Sequence, residues 1–176
     1  LLRERRQFDA ARQLVQQELE GELRTVGERH PDAARAMEFL AILESAQGRN
    51  SAAEVWYGRA LDVYRASLGE RHPTTIRALR NQNEFWRRRG DDAQARRFAE
   101  ELVAIAREVK ARPNPDSVVD NDLAWFLLTV RPPALRDPAL ARELAERAVV
   151  ATRRAWPDAL DTLSLAEERL GRLDIA

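Results

Sequence analysis

The string Gly-Glu-Arg-His-Pro occurs twice, at 27–31 and at 69–73, and much of the chain falls into step with it. The step is 42 residues. Prolines recur at positions 31, 73, 115 and 157, followed by Asp32, Thr74, Asp116 and Asp158, and Gly48 and Gly90 stand the same distance apart. A fixed period of this size marks stacked supersecondary units, none of which can bury its apolar face alone.

Each unit reads as two helices. In the first unit Ala36, Leu40 and Leu43 keep helical spacing until Gly48, the residue type that ends helices. A second helix follows with Ala53, Trp56, Tyr57, Ala60, Leu61 and Tyr64. The next unit repeats this with Ile76, Leu79 and Trp86, then Gly90, then Ala95, Phe98, Leu102, Ile105 and Val109. In the third, Ser117 with Asp120 three residues on reads as a capping box. Asp137-Pro138 opens its second helix. The loop between these two, Val130 to Arg136, is longer than its counterparts and contains Pro132 and Pro133. Phe8, Ala11, Val15, Leu19 and Leu23 make 5–26 a lone second helix, and 158–170 reads as a lone first helix. No stretch has strand periodicity. The expected fold is an all-α solenoid of antiparallel helix pairs in a single domain over 1–176. It divides into a half repeat (1–26), repeats at 27–68, 69–112 and 113–156, and a half repeat at 157–176. Ala41 and Ala60, with their counterparts Ala124 and Ala148, are expected to let paired helices approach closely. Trp56, Trp86 and Phe98 are expected to fill the space between neighbouring units.

Composition excludes several functions. There are 29 basic and 29 acidic side chains, so no net charge draws the chain to nucleic acid or anionic lipid. Without cysteine there is no disulfide, thiol nucleophile or thiolate metal site. No apolar run is long enough to span a membrane. All but Lys110 of the basic set is arginine, the habit of a GC-rich, bacterial genome. The chain opens on Leu1 and stops soon after Gly171, so it is expected to be a piece of a longer, cytoplasmic protein.

The units resemble tetratricopeptide repeats. The first resembles the long, kinesin-light-chain type: it has the 42-residue period, the Gly-x-x-His-Pro junction at 27–31 and again at 69–73, the Leu40-Ala41 pair, and then Ala53, Tyr57 and Ala60. In the second unit Gln82-Asn83 takes the place of Leu-Ala. The third, with NDLAWFLLT at 121–129 and RDPALARELAERAV at 136–149, is similar to repeats of bacterial multidomain proteins, many of them attached to serine/threonine kinases. DTLSLAEERLGRLDIA at 161–176 fits the half repeat that follows. The resemblance implies a right-handed solenoid whose first helices line a concave groove for a peptide or partner helix.

Carried over unit by unit, the groove positions are Arg35, Glu38, Ile42 and Ser45, then Arg77, Arg80, Glu84, Arg87 and Arg88. The third unit supplies Val118, Asn121, Trp125 and Leu128, and the last Asp158, Asp161 and Leu165. The family's peptide-clamping asparagine is matched by Asn121, and replaced by Glu38 and Arg80 in the first two units. Four arginines on one helix suit an acidic ligand, because guanidinium groups bind carboxylates bidentately. The same face also reads as solvated, with pairs Arg80–Glu84 and Glu84–Arg88. Trp125 and Leu128 read either as an apolar pocket or as core.

No catalytic residue, cofactor or metal site is expected. His30 and His72 occupy the same junction position 42 residues apart, which suits a helix start better than chemistry. No HExxH, phosphate-binding glycine loop or GxGxxG occurs. An RNA-reading repeat would need the same polar positions in every unit, and these differ. The expected function is therefore a protein-binding module, with a spacer or self-assembly solenoid and a transcription-regulatory or nucleic-acid-associated repeat as the alternatives.

Overall fold

A computed structural model of the chain describes residues 2–171, with side chains from Gln7 onward. The end of the expected last half repeat, 172–176, lies outside the described residues. Among the described residues there are eight α-helices and no strand. They are α1 (Leu2–Thr25), α2 (Pro31–Ala46), α3 (Asn50–Leu68), α4 (Pro73–Arg89), α5 (Asp92–Lys110), α6 (Ser117–Thr129), α7 (Pro138–Ala151) and α8 (Pro157–Arg169). A short 3-10 turn, Pro133–Leu135, lies between α6 and α7. The all-α class of repeated helices expected from the sequence is the one the chain adopts. Two compact units can be described, Leu1–Phe85 and Trp86–Ala176, with the division falling inside α4.

The 42-residue junction starts helices. His30 is the N-cap of α2, its Nδ1 accepting from the Asp32 amide at 3.2 Å, with Pro31 in the first turn. His72 Nδ1 accepts from the Thr74 amide, also at 3.2 Å, at the start of α4. Both histidines thus satisfy an amide that helix geometry leaves unpaired. At α6 the cap is Asp116, which accepts from the amides of Val118 and Val119. Ser117, expected to be the capping residue, is already inside the helix, because the Asp116 carboxylate one residue earlier takes the cap and suits the positive helix end better. Asp137 caps α7 through the Leu140 amide, as its sequence implies.

In the first unit α1 packs on α2 and α2 on α3. The core is formed by Ala33, Met37, Leu40 and Ala41 of α2, Ala53, Tyr57, Ala60, Leu61 and Tyr64 of α3, and Ile76 and Leu79 of α4. The rings of Tyr57 and Phe85 meet at a tilt of 50°, with centroids 5.2 Å apart. On α1 only Leu19 of the expected apolar face is buried; Phe8, Ala11 and Val15 are half-buried and Leu23 is exposed. In the second unit α6 packs on α7, α7 on α8, and α5 on both α6 and α7. Ala124, Ala141, Ala145 and Ala148 have no exposed surface there. Trp86 and Phe98 are buried as expected, but Trp56 is not. It lies half-buried under the Arg59 guanidinium, 4.8 Å from its ring, since the inward-facing aromatics of α3 are its neighbour Tyr57 and Tyr64.

In α2, α4 and α7 an amide just past the helix end bonds to the carbonyl five residues back, across a left-handed residue: Arg49 to Glu44, Asp91 to Trp86, and Arg154 to Val149. This closure needs a left-handed residue just before the donor. Gly48 (φ 73) and Gly90 (φ 75) supply it in the first two; Arg153 (φ 51) supplies it in the third, with Arg154 (φ 60) beside it. A left-handed non-glycine residue costs about 1–2 kcal/mol, against about 0.5–1 kcal/mol for the extra chain entropy of glycine. Arg153→Gly is therefore expected to stabilise the chain by about 0.5–1 kcal/mol, read as a higher thermal midpoint; a lower midpoint would contradict the strain. Ala60→Trp is expected to destabilise by about 1–3 kcal/mol through overpacking. An unchanged melting curve would place Ala60 outside the α2–α3 contact.

Candidate functional site

The first helix of the first unit presents one exposed stripe. Arg35, Phe39 and Ile42 follow i, i+4, i+7 on α2; Phe39 is 46% and Ile42 42% exposed. Arg35 donates to Glu18 of α1 at 3.2 Å. Phe39 was not among the expected site positions. Its signal is visible in hindsight, as a large apolar residue one position off the buried stripe that Met37, Leu40 and Ala41 define.

Glu38 does not face solvent as expected. It is 6% exposed and accepts three hydrogen bonds: from Asn81 Nδ2 at 2.7 Å, Arg77 Nη2 at 3.1 Å and the Tyr64 hydroxyl at 3.4 Å. A buried carboxylate needs such partners to offset lost hydration. The hydroxyl of Tyr64 is held well above the usual phenol range, first by burial and then by the neighbouring charge of Glu38, so it stays a neutral donor. Glu38 therefore joins α2, α3 and α4, and Arg77 is engaged on it.

Further along α4, Arg80 and Glu84 are half-buried, while Arg87 and Arg88 are exposed. All four interact with other groups of the protein. Ser45, on α2, is half-buried.

The first helix of the third repeat is α6, within the second compact unit. Val118 and Trp125, seven residues apart, are 46% and 43% exposed on one face. Leu128 is 2% exposed and belongs to the core, since the first-helix face it shares with Asn121 and Ala124 turns inward. Asn121 is also buried, yet its side-chain oxygen has no hydrogen-bond partner among the described residues. On α8, Asp158 and Asp161 are exposed and Leu165 half-buried.

A second buried node lies beside Asn121. Asp120, fully buried, sits 3.1 Å from Arg147 Nε of α7. Arg147 Nη1 donates to the carbonyls of Val109 and Lys110 in the last turn of α5, at 3.0 and 2.7 Å; that of Val109 also accepts from the Arg112 amide. One guanidinium thus binds α5, α6 and α7 together. In the sequence Asp120 reads as a capping acid, and nothing local marks it as part of this node. It is an acid inside an otherwise apolar helix, but its partner lies 27 positions away.

Burial pushes the Asp120 carboxyl up to about 6, with Arg147 pulling the other way. Its folded value lies above the unfolded one, so its contribution is fully present below about pH 4 and is lost as pH rises through about 6. Relative to Asp120→Asn, the wild-type chain is expected to lose up to about 3 kcal/mol of stability between pH 4 and pH 7, from a shift of about two units at 1.36 kcal/mol each. Paired denaturant titrations check this; a difference independent of pH would contradict it.

Among the described residues no group of three or more acids and histidines could hold a metal ion, and no helix is long and apolar enough to cross a membrane. A family model for the tetratricopeptide repeat matches residues 1–66, the span of α1, α2 and most of α3. No curated protein matches the chain. Over the matched span the chain is similar to tetratricopeptide repeats, which in general are protein-interaction modules and are typically non-catalytic.

Proposed function

We propose that the chain is a non-enzymatic protein-interaction module that binds peptides or partner helices on the exposed faces of its first helices. The observation that carries this reading is the recurrence of exposed apolar side chains at matching positions of two such helices. Ile42 follows the Leu40-Ala41 pair by the same step as Trp125 follows Leu123-Ala124, and each is more than 40% exposed. Scattered surface apolar residues need no explanation, but a position kept apolar and wet in separate repeats suits a ligand. Phe39 enlarges the patch on α2. The arginines of α4 favour an acidic segment, with Arg80, Arg87 and Arg88 supplying positive field and Arg77 partly neutralised by Glu38. A formal charge of zero argues against nucleic acid as the partner.

In this reading the 42-residue units are kinesin-light-chain-like, and the chain is a recruitment or regulatory region of a larger bacterial cytoplasmic protein, such as a serine/threonine kinase. The period, the Gly-x-x-His-Pro junctions, the arginine-rich composition and the motifs at 121–129 and 136–149 support that parentage.

Selection from a displayed peptide library tests the reading. Enriched peptides are expected to be acidic with an apolar anchor. Ile42→Asp or Trp125→Ala should weaken their binding at least tenfold, and Arg80→Glu should weaken the most acidic ones, while the melting temperature is retained. No enrichment, or binding indifferent to all three substitutions, would sink the proposal.

A further inference from the structure

The loop between α6 and α7 takes no part in the exposed stripe of α6, yet it is tightly held. The Asp137 amide donates to the Leu127 carbonyl at 3.3 Å, and the amides of Leu135 and Arg136 donate to Pro132 and Pro133, both at 3.0 Å. Arg136 Nε donates to the Val130 carbonyl at 3.1 Å. These bonds fix Arg131, Pro132 and Pro133 as one wall of a cleft of about 500 Å³. The facing wall consists of Arg87 near the end of α4, with Asp92 and Arg96 in the opening turns of α5.

Three arginines from three separate elements therefore line one cleft, with Asp92 as the one acidic residue of the lining. Arg96 already donates to Glu100 at 2.7 Å, and Arg87 interacts with other groups of the protein. The Arg96 hydrogen bond uses one of the five N–H donors that a guanidinium carries. The corresponding turns within the first two repeats, at Gly48 and Gly90, are short, so this wall comes from the longer proline loop of the third repeat.

We propose that this cleft binds a phosphate-type dianion. A tetrahedral group offers oxygens to donors arriving from several directions and carries close to two charges, whereas a planar carboxylate offers two oxygens in one plane and one charge. The site is separate from the apolar stripes of α2 and α6 and does not depend on the peptide-binding reading.

Calorimetric titration of the whole chain at low salt tests it, with inorganic phosphate, acetate, a glycine-flanked phosphoserine peptide and its unphosphorylated twin as probes. Inorganic phosphate and the phosphopeptide are expected to bind, with acetate and the unphosphorylated peptide at least tenfold weaker. Arg131→Gln should reduce phosphate affinity at least tenfold while circular dichroism shows unchanged helix content. Arg96→Gln serves as the second variant should the loop substitution disturb folding. A phosphopeptide much tighter than inorganic phosphate assigns the site to a modified polypeptide; equal affinities assign it to a free phosphate ester. Absence of phosphate binding, acetate binding as tightly, or affinity unmoved in both variants would overturn the proposal.

Discussion

Close approach of paired helices at alanine is the contact on which each unit depends. Ala41 and Ala60 are almost completely buried where α2 meets α3, and Ala124 and Ala148 are buried where α6 meets α7. With only a methyl group at these positions the helix axes can approach closely, and larger neighbours such as Met37, Leu40, Tyr64, Leu123 and Leu144 pack around them with little or no surface left in water. A helix pair this small has no other centre to its core. The residues on the opposite side of α2 and α6 are left in solvent by the same geometry, which is why Ile42 and Trp125 are exposed although each directly follows a fully buried alanine.

Two buried acids add specificity to these apolar contacts. Glu38 collects donors from α3 and α4, and Asp120 meets an arginine that also closes the end of α5. Burying a carboxylate is costly unless its partners are in place, so each node penalises arrangements in which the helices it joins are displaced. Asp120 shows the residual cost directly, in a carboxyl held up near 6 despite a guanidinium 3.1 Å away. The Glu38 node also changes what a ligand would meet, because Arg77 is tied to it.

Much of the local structure was legible from the chain itself. The repeated junction marked the starts of α2 and α4 because a histidine before proline can cap a helix without an interior amide being lost. Glycines at 48 and 90 marked helix ends because they take up left-handed backbone cheaply. Where competing residues could do the same job, the reading went astray: Asp116 won the cap of α6 from Ser117, and Tyr57 rather than Trp56 turned inward. Arg153, left-handed without being glycine, carried no sign in its residue type. Among the site residues, Arg35, Ile42 and Trp125 stand exposed as a ligand-facing position requires, while Glu38, Asn121 and Leu128 lie inside.

The sequence by itself determined that this chain is made of repeated helix pairs, because period, capping chemistry and helix-ending glycines act over a few residues and leave local marks. Only the tertiary structure decided which polar groups are internal. Whether Glu38 or Asp120 faces water depends on donors 26 to 43 positions away, and no local pattern encodes that distance. The same holds for the arginine-lined cleft. Arg87, Arg96 and Arg131 are unremarkable members of an arginine-rich chain until folding sets them around one space.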